Sequence, residues 1–110
     1  MIIKHGASID GCRPPILIAA ITIIEPVYIE FGKPCVITSG TEKYKHSAKR
    51  SAHYRGDALD FRTRVFKTDS EKHLFLEVLV ERLGRDFVVV LEKTHLHVHW
   101  SPVYEVDLSA

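Results

Sequence analysis

The rhythm of hydrophobic positions switches between helical spacing and strict alternation along the chain, and each switch marks an element. Ile16, Leu17, Ala20, Ile21 and Ile24 recur at helical spacing, behind Pro14 and Pro15, which suit a first helical turn. Asp10 is expected to cap this helix, and Pro26 to end or kink it. Gly32 and Pro34 close the segment, and Cys35–Thr38 reads as a short buried strand ending at Ser39-Gly40. From Thr41 to Arg55 the chain is polar and basic without periodicity, which predicts an exposed loop. Ala58–Arg62 alternates apolar with polar residues, the mark of a half-buried strand. Thr68-Asp-Ser-Glu71 is a capping box. Behind it Leu74, Phe75, Val78, Leu79 and Leu83 share one helical face, and Gly84 supplies the stop. Phe87–Leu91, opened by Asp86, is apolar throughout and predicts a strand buried on both faces. His95–Trp100 alternates strictly and predicts a final strand, close enough to its predecessor to form a hairpin.

This order of elements predicts an α+β fold: a small, mainly antiparallel sheet with helices on one side. With 110 residues the chain is expected to form a single domain over 1–110. A domain of this size buries only about two-thirds of its unfolded surface, so a metal ion would add useful stability. Lys plus Arg total 15 and Asp plus Glu 14, so no global field draws in nucleic acid. The local run Lys43, Lys45, His46, Lys49, Arg50, Arg55 reads as a solvated loop, and no nucleic-acid partner is expected. The apolar stretch Ile16–Ile24 is too short to span a bilayer, so no membrane partner is expected either. No signal-peptide pattern opens the sequence, which predicts synthesis in the cytoplasm. Cys12 and Cys35 lie among apolar residues and are expected to be buried and reduced, and the protein to be a monomer.

Seven histidines in this length is a high count, and three fall within five positions. Alternation puts His95, His97 and His99 on one face of their strand, about 7 Å apart, and Leu96, Val98 and Trp100 on the other. A lone histidine on such a face would read as solvated surface. A second candidate set changes the picture. His53 leaves the polar loop, Asp60 lies on the following strand, and Gly56 lets the chain turn back between them. Ala58 shares the face of Asp60 and leaves room beside it. Two imidazoles and one carboxylate, with a fourth place left for water, is the open coordination of catalytic zinc. Neither cysteine is near these residues in sequence, which argues against a closed structural site.

Ser51-x-His53-x-x-Gly56-x-Ala58-x-Asp60 resembles the Ser-x-His-x-x-Gly-x-Ala-x-Asp motif of the M15 zinc peptidases. That family includes D-alanyl-D-alanine carboxypeptidases and dipeptidases and phage L-alanyl-D-glutamate endolysins, and shares its fold with the hedgehog signalling domain. His95-Leu-His97-Val resembles the family's C-terminal His-x-His segment, and Val36-Ile-Thr-Ser-Gly40 the strand before its first motif. The resemblance runs from about Pro14 to Pro102 in the family's order. It implies a zinc cofactor held by His53, Asp60 and His97, with His95 steadying the oxyanion. The alternative family pattern Glu-x-x-His also fits, as Glu92 and His95, so the third ligand stays open between His97 and His95.

Two departures bear on activity. The acidic residue common directly before the first histidine is Thr94 here, and Glu92 is the nearest carboxylate that could act as base. Ser39-Gly40-Thr41-Glu42 replaces Ser-Gly-Tyr-Arg; Arg50 or Arg62 could bind substrate in place of that arginine, beside Ser51, though nothing in the sequence demands it. The resemblance therefore implies a hydrolase of peptidoglycan stem peptides or cross-links, reaching the cell wall after release, as a phage or prophage endolysin does. A catalytically inactive zinc-binding relative is the alternative.

Overall fold

The computed structural model describes residues 1–42 and 51–103. The basic run at 43–50, including Arg50, lies outside the described residues. The elements are β1 (Ile2–Ile3), α1 (Pro14–Ala19), a π-helical turn (Ala20–Ile24), α2 (Glu25–Glu30), β2 (Val36–Ser39), β3 (Ala58–Arg62), α3 (Asp69–Leu83), β4 (Phe87–Leu91) and β5 (His95–Trp100). Among the described residues five strands form one sheet in the order β1-β2-β3-β5-β4, antiparallel except for the β1–β2 pair. The α+β class and the β4–β5 hairpin are as the sequence predicts.

The first helix departs from expectation at both ends. Arg13, not Asp10, occupies the N-cap, with extended backbone and no side-chain cap bond. Pro26 does not stop the helix, which runs on to Glu30. A proline inside an α-helix lacks its N–H and collides with the carbonyl four residues back. The π turn just before it widens the helix, and the Glu25 N–H donates five residues back to the Ala20 carbonyl. The stop comes at Gly32, with φ +68°, where Gly32 and Lys33 donate to Ile29 and Tyr28.

Ile16, Ile24, Val27 and Tyr28 from this helix pack on Leu59, Phe61, Leu96 and Val98 from the sheet, all fully buried. Tyr28 stacks among Phe66 and Phe75, and its hydroxyl donates to the Arg62 carbonyl at 2.8 Å. α3 carries half of the expected capping box, with Thr68 Oγ1 accepting from Glu71 N at 3.1 Å while the Glu71 carboxylate pairs with Lys33, and it buries Phe75, Leu79 and Leu83. Leu74, expected on that face, is exposed instead.

β4 is the larger correction. It is an edge strand whose Val88 and Val90 are exposed rather than buried on both faces. Val88 pairs with His99 and Val90 with His97, so both valines lie on the histidine face of the sheet. The helices pack on the opposite face. Cys35 is buried and Cys12 half-buried, both unpaired, and burial pushes their thiols up to about 12 and about 11. Among the described residues no helix is long and apolar enough to cross a membrane.

Candidate metal centre

Backbone pairing assembles the site before any side chain is considered. Asp60 on β3 lies directly opposite His97 on β5, and Ala58 and Arg62 lie opposite His99 and His95. On the other side of β3, Ser39 faces Asp60 across an irregularity in which β2 advances two residues against one. Residues 51–57 cover this face. They turn through Gly56 at φ +76° and are closed by Asp57 N donating to the Ala52 carbonyl. That turn brings His53 over Asp60, and both are buried.

His53 Nε2 stands 3.2 Å from Asp60 Oδ1, His97 Nδ1 stands 3.0 Å from the same oxygen, and the two nitrogens are 3.2 Å apart. These three residues form a group whose ligand atoms lie within 4.8 Å of one another, suited to holding a metal ion. Tetrahedral zinc ligands at about 2.0–2.1 Å stand roughly 3.3 Å from each other. The spacing therefore fits zinc.

The ring tautomers fit as well. His53 Nδ1 donates to the Gly40 carbonyl at 2.9 Å, which leaves Nε2 to present a lone pair to the site. His97 turns Nδ1 inward, and its Nε2 meets His99 Nδ1 at 2.8 Å. Burial alone would raise the Asp60 pKa. The adjoining His53 and His97 rings more than offset it and hold the carboxyl well below its ordinary range. Burial alone would lower the His53 pKa, and Asp60 reverses that into a net rise. Burial, then the neighbouring His97, push His99 down.

His95 stands outside this group, with Nε2 3.6 Å from Asp60 Oδ2 and Nδ1 3.2 Å from Thr94 Oγ1. A cleft of about 820 Å³ opens beside Asp60 and His95, lined by Ser51 and by five cations, Lys4, Arg62, Arg64, Lys72 and Lys93. Glu92 is exposed beside the hairpin turn, and its N–H donates to the His95 carbonyl. It is not part of the metal-suited group or of the cleft lining.

Three residues near the site carry no motif that marks them in the sequence. Glu42, read as a departure from the family pattern, is buried beneath the site. His99 stands behind His97, hinted at only by its place in the alternating trio. Asp57 is buried, with Oδ1 accepting from Arg13 Nε at 2.6 Å and Oδ2 from Arg13 Nη2 at 2.5 Å, while Arg55 adds a longer contact. The Arg13 guanidinium also lies over the Trp100 ring at 5.2 Å. Asp57→Ala is expected to cost on the order of 1.5–3 kcal/mol, toward the low end because both guanidinium groups are half exposed. The Arg13 hydrogen bond holds the Asp57 carboxyl below its ordinary range against the effect of burial. Its contribution is therefore present above the unfolded carboxyl pKa, about 3.9, and is lost as pH falls through the folded value. Unfolding curves of wild type and Asp57→Ala should differ at pH 6 and converge in acid.

An α+β sheet carrying two histidines and an aspartate at metal-ligand spacing beside a cationic cleft defines a candidate metal centre. The sequence matches the family Peptidase M15 over residues 1–99, and the chain belongs to that family. No curated protein and no solved structure matches the chain.

Proposed function

We propose that the chain is a zinc-dependent peptidase that hydrolyses peptide bonds in the stem peptides or cross-links of peptidoglycan. The convergence of His53 Nε2, Asp60 Oδ1 and His97 Nδ1 at 3.0–3.2 Å carries the reading. These three residues hold the ion. The distances support His97 over His95 as the third ligand. Zinc held there supplies Lewis acidity, polarising the scissile carbonyl and lowering the pKa of the attacking water.

The chain's own groups do the rest. His95, at the mouth of the cleft, donates a hydrogen bond to the carbonyl oxygen as negative charge builds on it. Glu92, across the hairpin from His95, takes the proton of the attacking water and passes it to the departing amine. Ser51 and Arg62 meet the substrate in the cleft, whose cations suit the carboxylates of stem peptides. Arg50, the other candidate for substrate binding, lies outside the described residues. Cleavage of murein fragments should stop with chelator and return with zinc. Zinc-loaded protein that releases no product from any murein fragment would overturn the reading.

A second reading, a zinc-binding relative without catalysis, is favoured by two observations: Glu92 is exposed, and Thr94 holds the usual place of the acid. Glu92→Gln separates the two. Loss of a general base should lower the rate roughly 10²-fold to 10⁴-fold while bound zinc is retained. No change in activity with zinc retained would mean either that the base is elsewhere or that there is no chemistry.

A further inference from the structure

We infer that Glu42 is a positioning residue of the metal centre, holding the Ser39–Gly40 turn whose carbonyl fixes the His53 ring; this rests on the zinc reading above. Glu42 is 7% exposed. Its Oε1 accepts from Gly40 N at 2.8 Å and from Ser8 N at 2.9 Å, and its Oε2 accepts from the Ser39 hydroxyl. A buried carboxylate is costly unless such donors satisfy it, so its partners are held firmly in turn. The Gly40 and Ser8 backbone N–H groups are thereby drawn onto one anion. Thr41 N then donates to the Ser8 carbonyl at 2.7 Å, which orients the peptide unit it shares with Gly40.

The carbonyl of that peptide unit accepts from His53 Nδ1. Its direction decides which nitrogen of His53 carries the proton, and so whether Nε2 offers a lone pair to the site. The packing leaves no slack: a Cβ on Gly40 would come within 2.0 Å of the Ser8 carbonyl oxygen. Burial opposes ionisation of Glu42, but these hydrogen bonds leave its carboxyl below the ordinary range. Glu42 therefore acts as an anion two links away from the ion, touching neither ion nor substrate.

Two readouts test this. In metal-free protein, imidazole ¹⁵N spectra report the His53 tautomer. Competition against a chromophoric chelator reports zinc affinity. Wild type should show His53 protonated at Nδ1. Glu42→Ala should mix the tautomers and weaken zinc binding about 10-fold to 100-fold, the usual cost of losing an outer partner. Glu42→Gln keeps an acceptor oxygen for the two N–H groups and should recover most of the affinity. If Glu42→Ala does not fold, Ser39→Ala removes one contact of the carboxylate and should still weaken zinc several-fold. A folded Glu42→Ala, or failing that Ser39→Ala, with wild-type tautomer and affinity would overturn the inference. A wild-type protein that binds no zinc would instead overturn the function reading, while the tautomer measurement still judges Glu42.

Discussion

Asp60→Asn is expected to abolish zinc binding at micromolar metal and, with it, all peptidase activity. Asp60 is the one anion among the three donors, and the same oxygen lies 3.2 Å from His53 Nε2 and 3.0 Å from His97 Nδ1. An amide keeps the shape of the group but not its charge. Its oxygen is a far weaker ligand for a divalent ion, and its NH₂ cannot accept from either ring. Loss of an outer partner costs about 10-fold to 100-fold in metal affinity, and loss of a ligand should exceed that range. Metal analysis after dialysis and chelator competition measure it directly. His95→Ala is the matched comparison, because His95 stands outside the group. It should keep its zinc and lose rate only. If His95→Ala released the ion while Asp60→Asn retained it, the ligand assignment would be wrong.

The parts of this site legible in the sequence are those written in a local period. Alternation alone put His95, His97 and His99 on one face, and the register confirms the shared face by pairing them with Arg62, Asp60 and Ala58. Gly56 was legible as a turn because a position that needs positive φ favours glycine. What is not written in a period was lost. An apolar run such as Phe87–Leu91 says nothing about how many neighbours its strand has, and β4 proved to be an edge. Pro26 was read by its local rule, and the π turn that accommodates it has no composition of its own. β1, two residues long, is held only by pairing with β2. Asp57 acts through a partner 44 residues away in sequence, and Glu42 ties its own turn to Ser8, 34 residues away; such distant bonds leave no local trace. The proposed ligands thus stand in the motif, whereas Glu42 and Asp57, packed near them, carry no such mark.

Gly56→Ala should be among the most damaging single substitutions in the chain, because two independent penalties fall on one atom. The residue sits at φ +76°, where any side chain is strained. Its added Cβ would also come within 2.2 Å of the Gly11 carbonyl oxygen, with Cys12 Cα at 3.2 Å. Neither neighbour is a flexible side-chain end that can swing aside. Gly11 and Cys12 lead into Arg13, whose N–H donates to the Gly56 carbonyl at 2.7 Å and whose guanidinium grips Asp57. Relieving the overlap therefore means parting the start of α1 from the turn that carries His53. Strain alone costs roughly 1–3 kcal/mol, and with the backbone overlap the total should reach about 3–5 kcal/mol. For a domain this small the thermal midpoint should fall by more than about 10 °C. Gly84→Ala isolates the first penalty, since Gly84 has φ +77° but no atom within 4 Å of its would-be Cβ. It should lose only the strain and keep its zinc. The gap between the two variants measures the close approach, and equal losses would mean that the turn over Asp60 is not packed on Gly11.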